Sequence, residues 1–124
     1  EAAKHPEQRL TASAPAEREK VLKQQCLDEC QRRGWLVFHS RMDAPTTRPE
    51  GEPDLIILAR IEEPDWATSR PLGPTTLFIE LKTGKGKLST EQLGVHAHAR
   101  KLGHTIYLVR SIGDFHEVLR KEGL

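Results

Sequence analysis

Two stretches decide the fold of this chain: Asp54-Leu55-Ile56-Ile57-Leu58-Ala59 and Thr75-Thr76-Leu77-Phe78-Ile79-Glu80-Leu81-Lys82. The first is a nearly continuous apolar run, the pattern of a strand covered on both faces. The second reads as another central strand. Both put charge where a buried strand tolerates it poorly. Aspartate is a weak strand former, yet Asp54 opens the first run. Glu80 and Lys82 close the second, and strand alternation places them on one face with Ile79 and Leu81 on the other. If the two runs pair as an antiparallel hairpin, Asp54 lies opposite the end of the second run, beside Glu80.

Working outward, residues 61–74 become the hairpin's connection, since Pro64, Trp66, Pro71 and Pro74 read as an inserted loop. Upstream, residues 35–39 form a short strand and residues 40–51 a polar loop with Pro45 and Pro49. A helix runs from Pro15, suited to a first turn, to about Arg33, and stops at Gly34. Downstream come a glycine–lysine turn over 83–87, a helix over 89–102 ended by Gly103, a strand over 105–109 and a last helix over 114–121. Residues 1–13 are polar, lack periodicity and read as a flexible tail; residues 14–124 form the domain. The order α-β-β-β-α-β-α predicts an α/β three-layer domain with a mixed sheet flanked by helices.

Composition narrows the class. At 124 residues the chain is one domain, and 36% hydrophobic with 30% charged residues marks it as globular, not disordered. No apolar run approaches the ~20 residues that span a bilayer, and no signal-peptide pattern is visible. The net charge of +1 neither demands nor excludes nucleic acid. Its distribution says more: between positions 82 and 101, Lys82, Lys85, Lys87, Arg100 and Lys101 face Glu91 alone, which suits a polyanion on one side. Cys26 and Cys30 have poor spacing for a disulfide and no matching ligand pair for zinc. They read as buried thiols in a reduced compartment.

Each charged residue also has a bland reading. Pro53-Asp54 suits strand entry, and Glu80 with Lys82 suits a salt bridge at the sheet rim. Together, Asp54 and Glu80 offer two hard oxygen ligands suited to Mg²⁺, with an ammonium one pleat away. Glu19 is a third candidate. At ~100° per residue, Leu22, Cys26 and Cys30 fall within about 60° of Glu19, whereas Glu17 falls about 160° away on the wet face. A helix-end carboxylate is the alternative reading of Glu19. Gln92 follows Ser89 by three residues, a capping-box spacing that explains it without further function; the alternative reading, from the helix side it shares with Val95, His96 and Ala99, turns it toward the carboxylates. The turn Gly84-Lys85-Gly86-Lys87 matches no nucleotide-binding fingerprint, but its lysines suit phosphate contacts. His39, His96, His98 and His104 give no zinc pattern.

The order Glu19, Gly51-Glu52-Pro53-Asp54-Leu55-Ile56, Phe78-Ile79-Glu80-Leu81-Lys82 and Gly86-Lys87-Leu88-Ser89-Thr90-Glu91-Gln92 resembles the virus-type replication–repair nuclease (VRR-NUC) domain, a branch of the PD-(D/E)xK nucleases. The resemblance covers about residues 16–121. It implies a restriction-endonuclease-like core and Mg²⁺- or Mn²⁺-dependent cleavage of DNA. By position it makes Glu19, Asp54, Glu80, Lys82 and Gln92 catalytic, and Asp54, Glu80, Glu19 and the Leu81 carbonyl metal ligands. Lys85, Lys87 and Arg41 are the expected DNA contacts. It further implies a branched or flapped DNA substrate, a homodimer, and the cytoplasm of a bacterial or phage-infected cell. A sequence-specific restriction endonuclease and an inactive DNA-binding module on the same core are the rival expectations. The 61–74 segment is longer than the connection the resemblance implies.

Overall fold

The computed structural model describes residues 15–39, 51–62 and 72–124. The expected tail over 1–13, most of the polar loop over 40–51 with Arg41, and the middle of the 61–74 segment lie outside the described residues.

Helix α1 (Pro15–Arg33) leads through Gly34, in a left-handed conformation at φ 78°, into strand β1 (Leu36–His39). Strands β2 (Leu55–Ile61) and β3 (Gly73–Leu81) follow, then helix α2 (Thr90–Lys101), strand β4 (Ile106–Val109) and helix α3 (Ile112–Lys121). The four strands form one sheet in the order β1-β2-β3-β4. β1 and β2, and β2 and β3, are antiparallel; β4 runs parallel to β3. The sheet is therefore mixed, as expected.

One face of the sheet supplies Leu55, Ile57, Ala59, Leu77, Ile79, Leu81 and Val109 to the core. Leu22, Cys26 and Cys30 of α1 and Phe115, Val118 and Leu119 of α3 close it. Burying each large aliphatic or aromatic side chain contributes on the order of 1.5–3 kcal/mol, so this face holds the domain together. Both cysteines are fully buried free thiols, and burial pushes Cys26 up to about 12 and Cys30 to about 11. The opposite face carries Ile56, Phe78, Glu80 and Ile106. There α2 lies across it through Val95, His96 and Ala99. Beyond α2, Leu36, Phe38 and Leu58 are exposed.

The element boundaries differ from the expectation in several places. β2 runs on to Ile61 and β3 starts at Gly73, with Ile61 paired to Gly73 and Arg60 to Pro74, so the hairpin extends into the segment read as a loop. Pro74 is tolerated because β4 reaches only Phe78–Leu81; no described strand pairs the other side of β3 at Pro74, so its missing N–H is lost from no ladder. β3 ends at Leu81, and Lys82 continues only one more bond, donating its N–H to the Val109 carbonyl at 3.1 Å. Helix α3 starts two residues before Asp114, because the Ser111 hydroxyl caps it by accepting from the Asp114 N–H at 3.1 Å.

The topology gathers one edge. α1 hands over to β1 at the far end of the sheet, since Leu36 pairs with Leu58. The N-termini of all three helices therefore meet the carboxyl ends of β1, β3 and β4, where Asp54 enters β2.

Candidate active site

The register of β2 against β3 pairs Leu55 with Ile79, which sets Asp54 across from Glu80. One Asp54 carboxylate oxygen accepts the Leu81 N–H at 2.7 Å, tying the mouth of β2 to the end of β3. Gly51, three residues earlier, brings the entry to β2 against α2. At φ 83° it passes so close to α2 that an added Cβ would sit 2.8 Å from Val95 Cγ2 and 2.9 Å from the Glu91 carbonyl oxygen.

Glu80 is 1% exposed. Gln92 Nε2 donates to its Oε2 at 2.9 Å, and His96 Nε2 lies 3.4 Å from its Oε1. Burial first, then the hydrogen bond and negative charge of Asp54, push Glu80 up to about 9; Lys82 pulls it back in part and Glu19 adds to the rise. Burial, with a smaller contribution from Arg100, lowers His96 below its ordinary 6.5, so at neutral pH it is an uncharged imidazole against Glu80. Glu19 enters from α1. Burial and then Asp54 raise its pKa, while Lys82 and Lys23 oppose the rise. Glu17 is exposed, as its helical phase predicts.

The structure thus brings Glu19, Asp54, Glu80, Lys82 and Gln92 together at one edge. Lys85 and Lys87 sit exposed in the adjoining turn, closed by the Gly86 N–H on the Thr83 carbonyl at 3.1 Å. Arg41 lies outside the described residues. Gln92 resolves its two readings by doing both jobs: its Oε1 accepts the Ser89 N–H at 2.8 Å to complete the capping box, while its Nε2 serves Glu80.

Two residues escaped the sequence reading. His96 stands four residues after Gln92, so both reach the same carboxylate; the shared helix side was visible, its partner was not. Lys23 is 6% exposed one turn after Glu19. The helical phase that marks Glu19 puts Lys23 in the same stripe, and a lysine in a buried stripe was the available signal.

Glu80 is buried and Asp54 half-buried beside it, and two carboxylates so close repel each other when both are ionised, which keeps the proton on Glu80 well above the ordinary range. That donor set suits a divalent cation. Among the described residues no group of three or more His, Cys, Asp or Glu side chains forms a cage. A pair of carboxylates suits Mg²⁺, which keeps several waters and needs only one or two such ligands. A cleft of about 700 Å³ at the opposite end of the sheet, beside Trp35 and Leu124, contains none of these residues.

A four-stranded mixed sheet between helices, with its acidic cluster at the hairpin mouth, defines a restriction-endonuclease-like α/β core. A solved structure described as a VRR_NUC domain superposes with a TM-score of 0.58, covering 83% of this chain and 95% of that one at 19% identity. The chain has a VRR_NUC-like fold. No family model and no curated protein matches its sequence.

Proposed function

We propose that this chain is a Mg²⁺- or Mn²⁺-dependent endonuclease that hydrolyses DNA phosphodiesters. The observation that carries this reading is the contact between Asp54 and Glu80 at the hairpin mouth, with Lys82 and Glu19 within electrostatic reach. Asp54, Glu80, the Leu81 carbonyl and Glu19 would hold the cation. When bound, that cation polarises the scissile phosphate and lowers the pKa of a water. Gln92 and His96 fix the Glu80 carboxylate, so its oxygens are aimed before any ligand arrives. Lys82 orients the attacking water or neutralises the charge that develops on the phosphate. Lys85, Lys87 and Arg41 contact backbone phosphates. Branched or flapped DNA is the proposed substrate, cut by a homodimer in the cytoplasm of a bacterial or phage-infected cell.

The test is cleavage of four-way junctions, flaps and linear duplexes with and without Mg²⁺, beside calorimetric Mn²⁺ titration of the wild type and Asp54→Asn. Metal-dependent cleavage that Asp54→Asn abolishes, together with its metal binding, supports the reading. Cleavage by Asp54→Asn within about tenfold of the wild type refutes the ligand assignment, since a neutral amide holds a divalent cation poorly.

A further inference from the structure

Two arginines from distant parts of the sequence converge on one glycine beside the carboxylates. Gly84 lies two residues after Lys82, at φ 57°. Arg110, the residue after β4, donates from Nη1 to the Gly84 carbonyl at 3.1 Å. From the other side, Arg18 of α1 brings Nη2 to 3.6 Å from the place a Gly84 Cβ would occupy. Both side chains are half-buried. The parallel pairing of β3 with β4 explains the meeting, because Leu81 pairs with Val109 and so sets Arg110 beside the strand end that carries Lys82. Arg18 precedes Glu19 on α1, which puts it at the same edge.

A single bond to a carbonyl uses little of a guanidinium's planar donor fork, and that fork matches phosphate oxygens in pairs. The acidic group in the first turn of α3, Asp114, is engaged by a main-chain donor: its Oδ2 accepts the Arg110 N–H at 3.0 Å. The acidic groups on the other side are Glu19, Asp54 and Glu80, the proposed cation ligands. Arg18, Lys82, Lys85, Lys87 and Arg110 thus gather at one turn, a run of positive charge that suits a polyanion passing across it.

We propose that Arg18 and Arg110 form a phosphate seat on the Gly84 turn that takes the DNA backbone phosphate next to the one cleaved. This inference rests on the nuclease reading and extends it to the path of the strand: from the carboxylates across the Gly84 turn, between α1 and the end of β4. Arg110 places the turn through its carbonyl and contacts the strand with the rest of its fork. Arg18 completes the seat from the helix side.

The experiment uses the full chain carrying Asp54→Asn, so that DNA is bound and not cut. Anisotropy of a labelled four-way junction and a labelled linear duplex is followed from about 0.05 to 0.3 M salt. Arg18→Ala and Arg110→Ala should each weaken binding roughly 3–10-fold and lower the slope of log affinity against log salt by about one, the signature of one lost phosphate contact. Arg110→Lys should keep the slope, and melting temperatures should stay within about 2 °C of the parent. If the parent binds DNA while both alanine variants keep its slope, the inference is overturned and the nuclease reading stands. A lower melting temperature with an unchanged slope overturns it equally, by making these arginines props for the turn. If the wild type cuts none of the DNAs and the parent binds none, the nuclease reading falls and takes the seat with it.

Discussion

Glu80→Gln should stabilise the metal-free protein while abolishing cleavage. Glu80 is 1% exposed, and burial and Asp54 hold its proton on up to about pH 9. In the unfolded chain the same group loses its proton near 4.5. Between those values the folded state binds more protons than the unfolded state, so stability falls as pH rises from about 4.5 to about 9 and is level beyond. At pH 7, about 2.5 units above the lower value, the loss at about 1.4 kcal/mol per unit is at most about 3.5 kcal/mol. Water entering at the site mouth reduces it, and about 1–3 kcal/mol is the working range. Glutamine removes that cost and keeps the bonding: its oxygen accepts from Gln92 Nε2 and its nitrogen donates on the Asp54 side, as the protonated acid does. For a domain of this size the gain corresponds to a melting temperature higher by about 4–12 °C at pH 7. It should shrink toward zero at pH 5, and thermal melts in EDTA from pH 5 to 9 read this directly. A variant that melts below the wild type, or that keeps the wild-type pH slope, refutes the argument.

Lys82→Ala should lower the single-turnover rate about 10²–10³-fold, the scale of one preorganised donor, with Mn²⁺ affinity retained by calorimetry; a loss of melting temperature with a normal rate per folded molecule would make it a strut instead. Ser89→Ala should cost about 0.5–2 kcal/mol in denaturant unfolding but leave Glu80 its Gln92 partner, so its cleavage rate at low temperature should exceed that of Gln92→Ala. Gly51→Ala should destabilise by about 1–3 kcal/mol, because its Cβ would press on Val95 Cγ2 and the Glu91 carbonyl; unfolding at the wild-type denaturant midpoint would show that the Gly51 segment moves away freely. Lys85→Ala and Lys87→Ala should weaken binding and change its salt dependence while leaving the rate at saturation near normal, which saturating single-turnover kinetics check.

The sequence was most legible where periodicity and chemistry agreed. The apolar run after Asp54 and the alternation around Glu80 predicted the hairpin, and with it the Asp54–Glu80 register. The phase of α1 separated Glu19 from Glu17 because a helix of 19 residues repeats its angle often enough to average out irregularities. Strand ends were less legible. Ile61 and Gly73 pair across a connection whose prolines look like loop, and only the short reach of β4 makes Pro74 harmless. His96, Lys23 and the meeting of Arg18 with Arg110 depend on which faces pack against which. Neighbours along the chain do not encode that.

Gln92 has a dynamic consequence. Its side chain holds the first turn of α2 with one atom and the Glu80 carboxylate with another, so unwinding that turn also displaces the amide that aims Glu80. Of the whole helix only His96 is buried, which places α2 among the elements that open most readily, well below the cost of global unfolding. When its first turn frays, Glu80 loses the amide that aims it while the core of α1, α3 and the sheet stays folded. Warming should therefore extinguish activity before the far-ultraviolet signal moves. Amide hydrogens of residues 92–96 should exchange at the same rate as activity is lost and regained, making the start of α2 a thermal fuse for the site.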